Sequence, residues 1–416
     1  MPNTVLTVDM ITKECLRLAH EKATFIGTIN RQFDDSFGRS DGKIGDTLRI
    51  RYPAQYTRRQ GSRVMDVQDS VQTSTSLVVA TQDGVDMRFN SRELALDLDN
   101  FSKIHLEPAM AQLISGIESD VLAGCTKGTY NYAGNWGVNY TNNTALTAVS
   151  SLTAAGNART RLNQGLAPKG DRSVQLDSGT MASLVSGTAA YFNPSGAISE
   201  QFREGLIART AMADYYENER IWNASTISSV TMSTAKLNGF ISTAGQTSLN
   251  VTSITQQVPV GTVFTIANVY DVHLETKGQF PPLKQFVVTS SNSNASTWTV
   301  SPPIYLSGAR QNVGGAFTAT TLAMSNYAIT ILGTTTLTAI PTGLMYHKDA
   351  FTFATAELPL MSAAEKCVRR TYDGLSLRVW QDADIRNDEL LTRVDILYGY
   401  AVIRPEWACR IIGTGS

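Results

Sequence analysis

The segment from Val174 to Thr180 reads VQLDSGT, and an apolar run leading into Asp-Ser-Gly-Thr is the setting of a catalytic aspartate in acid proteases. That chemistry needs two carboxylates sharing one proton, so a single chain of this length must carry the string twice. It carries it once. Asp177 is therefore read as the N-cap of a helix over Thr180 to Val185, where a carboxylate accepts backbone N–H groups that have no intrahelical partner. His20, His105, His273 and His347 stand alone, without the spacing of a zinc site. Cys15, Cys125, Cys367 and Cys409 are equally scattered and read as reduced thiols. Neither a phosphate-binding loop nor a nucleophile elbow occurs. No catalytic, cofactor-binding or metal-binding residue is assigned, no cofactor is implied, and no enzyme activity is expected.

The remaining concentration of chemically active side chains is basic. Arg49, Arg51, Arg58, Arg59 and Arg63 crowd the stretch from about Gly45 to Val79, whose central part holds only Asp66 and Asp69 as acids. A solvated, charge-decorated loop is one reading of it. A second is a projecting arm that docks on a neighbour through Arg–carboxylate pairs, and these five arginines are the predicted intersubunit contacts. Nucleic-acid contact is a third, weakened because only Tyr56 interleaves with the arginines.

The elements that must position these residues follow from periodicity. Gly45 to Pro53 and Val71 to Val79 each alternate with period two, which predicts the two arms of a long antiparallel hairpin. Ile11, Cys15 and Leu18 form one stripe of a helix over Val8 to Lys22, with Thr7 as its N-cap. Met110, Leu113, Ile114, Ile117, Val121 and Leu122 predict a long helix within Asp99 to Cys125, with Pro108 in its first turn or at a kink. Helix over Leu152 to Leu162 and strand over Ser173 to Leu176 complete an α+β segment that ends near Trp222.

Composition then shifts. From Ala224 to about Ile340 the charged residues are Lys236, Asp271, Glu275, Lys277, Lys284 and Arg310 alone, and Ser and Thr supply roughly a third of the stretch. The runs VFTIANV, QFVVTS and STWTVSP are short and β-branched, as expected of a small all-β barrel or sandwich. Mixed composition returns near His347, so the simplest topology inserts a β domain into an α+β domain. Across the whole chain of 416 residues, 42% are hydrophobic and the net charge is −1, which excludes a disordered chain and gives no electrostatic footprint for tight nucleic-acid binding. No apolar run is long enough to span a bilayer and no signal peptide is evident, so a cytosolic origin without membrane association is expected.

Three strings carry a resemblance: EGLIARTAMADYYENERI (Glu204 to Ile221), GTVFTIANVYDV (Gly261 to Val272) with LKQFVVTS (Leu283 to Ser290), and RVDILYGYAVIRPEWACRI (Arg393 to Ile411). With the order of elements, they resemble the major capsid (coat) proteins of tailed bacteriophages, in the short-tailed Salmonella-phage-like branch with an inserted β domain. The resemblance implies an α+β capsid fold with a helical arm (1–40), an extended hairpin loop (41–90), a peripheral domain with a spine helix (91–144), an axial domain in two parts (145–223 and 344–416) and an inserted β-barrel domain (224–343). It implies a subunit that self-assembles into an icosahedral head shell enclosing the genome, located in the virion and assembled in the host bacterial cytoplasm. The implied partners are further copies in hexamers and pentamers, a scaffolding protein, a portal protein, a decoration protein in some relatives, and packaged double-stranded DNA through weak non-specific contact. The competing reading is a glycan- or surface-binding protein, motivated by the Ser/Thr-rich insert and by Trp298 and Tyr305 as exposed aromatics. A hydrolase built on Asp177 is a weaker rival.

Overall fold

The structure is a computed structural model of the chain. It describes residues 8–31, 47–59, 61, 65, 67–69, 72–90, 102–133, 152–188, 213–224, 235–241, 243–252, 257–292, 296–315, 322–323, 327–331, 340–361, 366–384, 386–387 and 389–412. Thr7, Arg63, Asp66 and the first half of the string from Glu204 to Ile221 lie outside them. The chain divides into two compact units, one of Met1–Ile50, Ser74–Leu122 and Phe351–Ile403, the other of Arg51–Thr73, Ala123–Ala350 and Arg404–Ser416.

In the first unit, helix α1 (Val8–Lys22) buries Ile11, Cys15, Leu16, Leu18 and Ala19, the stripe expected from its spacing. Strands Lys366–Tyr372 and Leu375–Asp384 of the same chain cover that stripe. A short helix α2 (Phe25–Thr28) follows, and the amide of its first residue donates to the carboxylate of Glu118. Glu118 lies on helix α3 (Glu107–Gly128), which follows a single π-helical turn and keeps Pro108 in its first turn, where a missing N–H costs nothing. Behind these helices stands an antiparallel five-stranded sheet. Its long strand Glu389–Val402 pairs with Thr81–Asn90, Phe351–Ala356 and Leu375–Asp384. Thr392, Val394, Ile396 and Tyr398 are buried while Leu391 and Arg393 are exposed, the period of two expected of a half-covered sheet.

In the second unit a mixed sheet runs in the order Tyr132–Ala133, Ala408–Ile412, Ile340–His347, Arg172–Leu176, Asp214–Glu217. Helices α4 (Leu152–Gln164) and α5 (Ser178–Thr188) pack on it through Ala155, Ala158, Leu162, Met181 and Leu184. The Asp177 carboxylate accepts the N–H of Thr180 at 3.0 Å, so it is the N-cap of α5 as the sequence predicts.

Between Asn223–Ala224 and Ile340–His347 the chain builds an all-β barrel. Strands Lys236–Leu237, Gln246–Thr252, Thr297–Ile304, Gln279–Ser291, Val263–Val272 and Ile329–Ile331 pair in that order, all antiparallel. The ring closes where Lys236 bridges Ala328 and the amides of Leu237 and Ile329 donate to the carbonyls of Tyr327 and Ala235 at 3.0 Å. Phe264, Phe286 and Trp298 fill the interior, with the Phe264 and Trp298 rings 5.2 Å apart edge to face. This corrects one expectation. Trp298 is fully buried and Tyr305 partly so, because the alternation that marks strand Thr297–Ile304 turns the indole inward.

Candidate functional site

The basic stretch forms the predicted hairpin. Strands Thr47–Arg51 and Ser74–Val78 pair, and the Nε of Arg49 donates to the Ser74 hydroxyl at 2.9 Å across the two arms. Further out, the Tyr52 amide donates to the Thr73 carbonyl at 2.8 Å. Beyond it the Gln68 side chain takes the place of a ladder residue: its Oε1 accepts the Thr57 amide at 2.7 Å and its Nε2 donates to the Thr57 carbonyl at 2.8 Å. This clasp holds the outer arms together where regular strand has ended. Arg51, Arg58 and Arg59 are exposed on this frame, so four of the five predicted arginines share one projection.

Of the apolar side chains among them, sequence reasoning singled out Tyr56 and missed Met65 and Val67. Tyr56, Met65 and Val67 are 61%, 82% and 75% exposed, far beyond what an isolated monomer gains by placing apolar side chains in water. From Arg49 to Asp69 the chain holds five arginines and two aspartates, a net +3. These exposed apolar side chains stand in a net-cationic stretch, and its chemical complement would be an acidic, apolar surface.

One surface of that character lies in the first unit. Asp86, Met87, Trp380, Asp382, Leu391, Thr392 and Arg393 line an open groove of about 390 Å³ on the sheet. Arg393 is drawn to the buried Asp395 at 2.7 Å and to Asp86 at 3.6 Å, and those carboxylates hold its guanidinium above the usual range. Asp382 is exposed at the rim.

A second constellation joins the barrel to the mixed sheet within the second unit. The Asp271 carboxylate, on barrel strand Val263–Val272, accepts Lys284 Nζ at 2.8 Å and Arg161 Nη1 of α4 at 3.3 Å. All three side chains are almost wholly buried. Lys284 also stands 5.0 Å over the Tyr130 ring. The Gln285 amide pairs with the backbone of Tyr132, accepting its N–H at 2.8 Å and donating to its carbonyl at 3.2 Å. Arg410 donates to the carbonyls of Gly261 at 2.6 Å and of Lys127, near the α3 C-terminus, at 3.0 Å. A cation there complements the negative end of the helix dipole. Burial pulls Arg410 down to about 9 and raises the Tyr130 hydroxyl and the Glu406 carboxyl above their ordinary values. Gly261 has φ +95°, and a Cβ there would meet the Lys127 side chain at 2.9 Å, so only glycine allows this approach.

Among the described residues no three His, Cys, Asp or Glu side chains are placed to hold a metal ion, and no helix is long and apolar enough to cross a membrane. The described cysteines form no disulfide. Burial raises the thiols of Cys15 and Cys409 to about 12, far from the range of a reactive thiolate.

A family model described as "P22 coat protein - gene protein 5" matches residues 223–413, which comprise the barrel, much of the first unit's sheet and the mixed-sheet strands Ile340–His347 and Ala408–Ile412. Over that span the chain resembles a tailed-phage coat protein. The α+β framework with its inserted barrel is the architecture expected from that resemblance. No curated protein matches the chain. Among solved structures it is similar to one from Mycobacterium phage Che8, at 10% identity and a TM-score of 0.49 over 93% of this chain and 90% of that one. The capsid of cyanophage P-SCSP1u gives 11% identity and a TM-score of 0.44 over 89% and 84%. The mature capsid of bacteriophage PhiM1 gives 10% and 0.42 over 93% and 86%.

Proposed function

We propose that this chain is the major subunit of an icosahedral head, arranged as hexamers and pentamers, and that its basic hairpin is one of the contacts between copies. The observation that carries the hairpin assignment is the exposure of Met65 and Val67 among the arginines. A shell made of copies of one chain buries such surface repeatedly, and many modest contacts summed by symmetry hold it. The receiving surface with fitting chemistry is the groove of a second copy, where Trp380 and Leu391 offer apolar contact and Asp86 and Asp382 offer carboxylates. A scaffolding protein, a portal protein and, in the finished particle, a decoration protein are the partners of such a subunit. DNA is enclosed with weak contact, as a net charge of −1 suits, and assembly takes place in the bacterial cytoplasm. The chain has no catalytic role in this reading. A glycan-binding role loses its main support with Trp298 inside the barrel.

The test is assembly followed by electron microscopy and sedimentation. Arg58→Glu with Arg59→Glu is expected to abolish closed shells while the circular dichroism of the monomer stays unchanged. Adding Asp86→Arg and Asp382→Arg should restore them in part. Shells at normal yield from the Glu double variant would overturn the hairpin assignment. Shell loss without rescue by the reversed groove would keep the hairpin and discard the groove.

A further inference from the structure

The inserted barrel has its own filled interior, so nothing in that interior dictates whether the barrel is fixed to the mixed sheet or swings on its two connecting strands. The geometry points to a lock: we infer that Asp271 is a positioning residue that fixes the barrel to helix α4 by holding Arg161 and Lys284 on one carboxylate.

Three features carry this. Asp271 and Lys284 come from neighbouring barrel strands and are 2.8 Å apart, so the barrel presents them as a preassembled pair. Arg161 comes from α4, 110 residues away in sequence, and reaches the second oxygen of the same carboxylate. The two oxygens thus have different duties, Oδ1 within the barrel and Oδ2 toward the helix. Directional contacts of this kind select one placement, whereas the small apolar cluster of Tyr130, Tyr132, Val263 and Val287 beside them would tolerate sliding. The Tyr130 ring under Lys284 meets part of the surplus positive charge. Removing Asp271 leaves two buried cations facing each other, so the surface that had closed must open to water. Removing Arg161 leaves the barrel's own pair intact and deletes the reach from α4 to Asp271.

That asymmetry makes the inference testable by hydrogen exchange on the purified full-length monomer. The reporter is the Tyr132 amide, which donates across the seam to Gln285. The control is the Gly261 amide, which donates to the Val288 carbonyl within the barrel. In Asp271→Ala and in Arg161→Met the Tyr132 amide should exchange about tenfold faster or more, with the Gly261 amide unchanged. Arg161→Lys, which keeps a cation on Oδ2, should return Tyr132 to near its original rate. Unchanged Tyr132 exchange in Arg161→Met would overturn the lock, as would failure of the Lys variant to restore it. Equal acceleration of both amides in Arg161→Met would also overturn it, since the triad would then belong to the barrel's own stability. Should Asp271→Ala fail to fold, Arg161→Met alone decides.

Discussion

Asp271 and Asp395 are both buried aspartates held between a pair of cations, and the chain assembles the two groups by opposite routes. Asp395 accepts Arg378 at 2.6 Å and Arg393 at 2.7 Å, all within 17 residues of sequence and on paired strands of one sheet. Forming that group costs little loop entropy, because the hairpin that aligns Arg378 opposite Asp395 exists for other reasons. Asp271 instead draws Arg161 from a helix 110 residues away. The same charges therefore do different work. At Asp395 they fix strand register in a sheet whose order the hairpins already set, and at Asp271 they decide how two separately packed cores meet.

The largest expected effect is at Asp395, whose side chain is fully buried. Asp395→Ala strands Arg378 without a carboxylate and should cost about 3–5 kcal/mol in chemical denaturation of the monomer. The apolar pair Arg378→Met with Asp395→Leu should recover most of that loss, since a hydrophobic pair of similar volume is often as stable as a buried ion pair. No recovery would mean that the charges set more than register. Gly84→Ala is expected to come next, at about 1–3 kcal/mol, since a Cβ there would stand 2.7 Å from the Asp395 carboxylate and from the Val394 carbonyl. A full-strength Gly84→Ala defect that disappears in the apolar double variant would assign the clash to the carboxylate.

Asp177→Ala removes the cap of α5 and should cost about 1 kcal/mol by the same measurement. The smallest effect is at Glu406, beside the Asp271 group. Burial raises its carboxyl, so the folded state holds its proton to higher pH than the unfolded chain does. The resulting destabilisation is complete above the folded value and fades as pH falls through it. Glu406→Gln should therefore raise the melting temperature at pH 8 and leave it unchanged near pH 4. A variant less stable than the parent at pH 8 would show that the charged form is favoured.

Local elements were legible in the sequence because each depends on its own periodicity. The α1 stripe, the barrel strands, the hairpin arms and the Asp177 cap follow from spacing alone. The apolar members of that surface were not legible, since Met65 and Val67 in a polar stretch read as ordinary loop residues until their exposure is known. Nor was the seam, because no local pattern links Arg161 to Asp271. A faint signal did exist: Asp271 and Lys284 are two of only six charges between Ala224 and Ile340, and both fall within strand runs. A charge kept in the middle of an apolar strand, where burial is costly, points to a partner elsewhere. Trp298 shows the converse error, an aromatic judged by its polar neighbours when strand alternation turned it inward.

The closure of the barrel bears on crowding. A shell concentrates copies of one chain to densities at which any open sheet edge meets the same edge on many neighbours, and unpaired ladder groups would recruit them in whatever register came first. Joining Lys236–Leu237 to Ile329–Ile331 through Ala235, Tyr327 and Ala328 occupies backbone groups that would otherwise form such an edge. The insert can thus sit beside many identical inserts without offering them a template, and strand exchange between copies is discouraged before any specific contact is made.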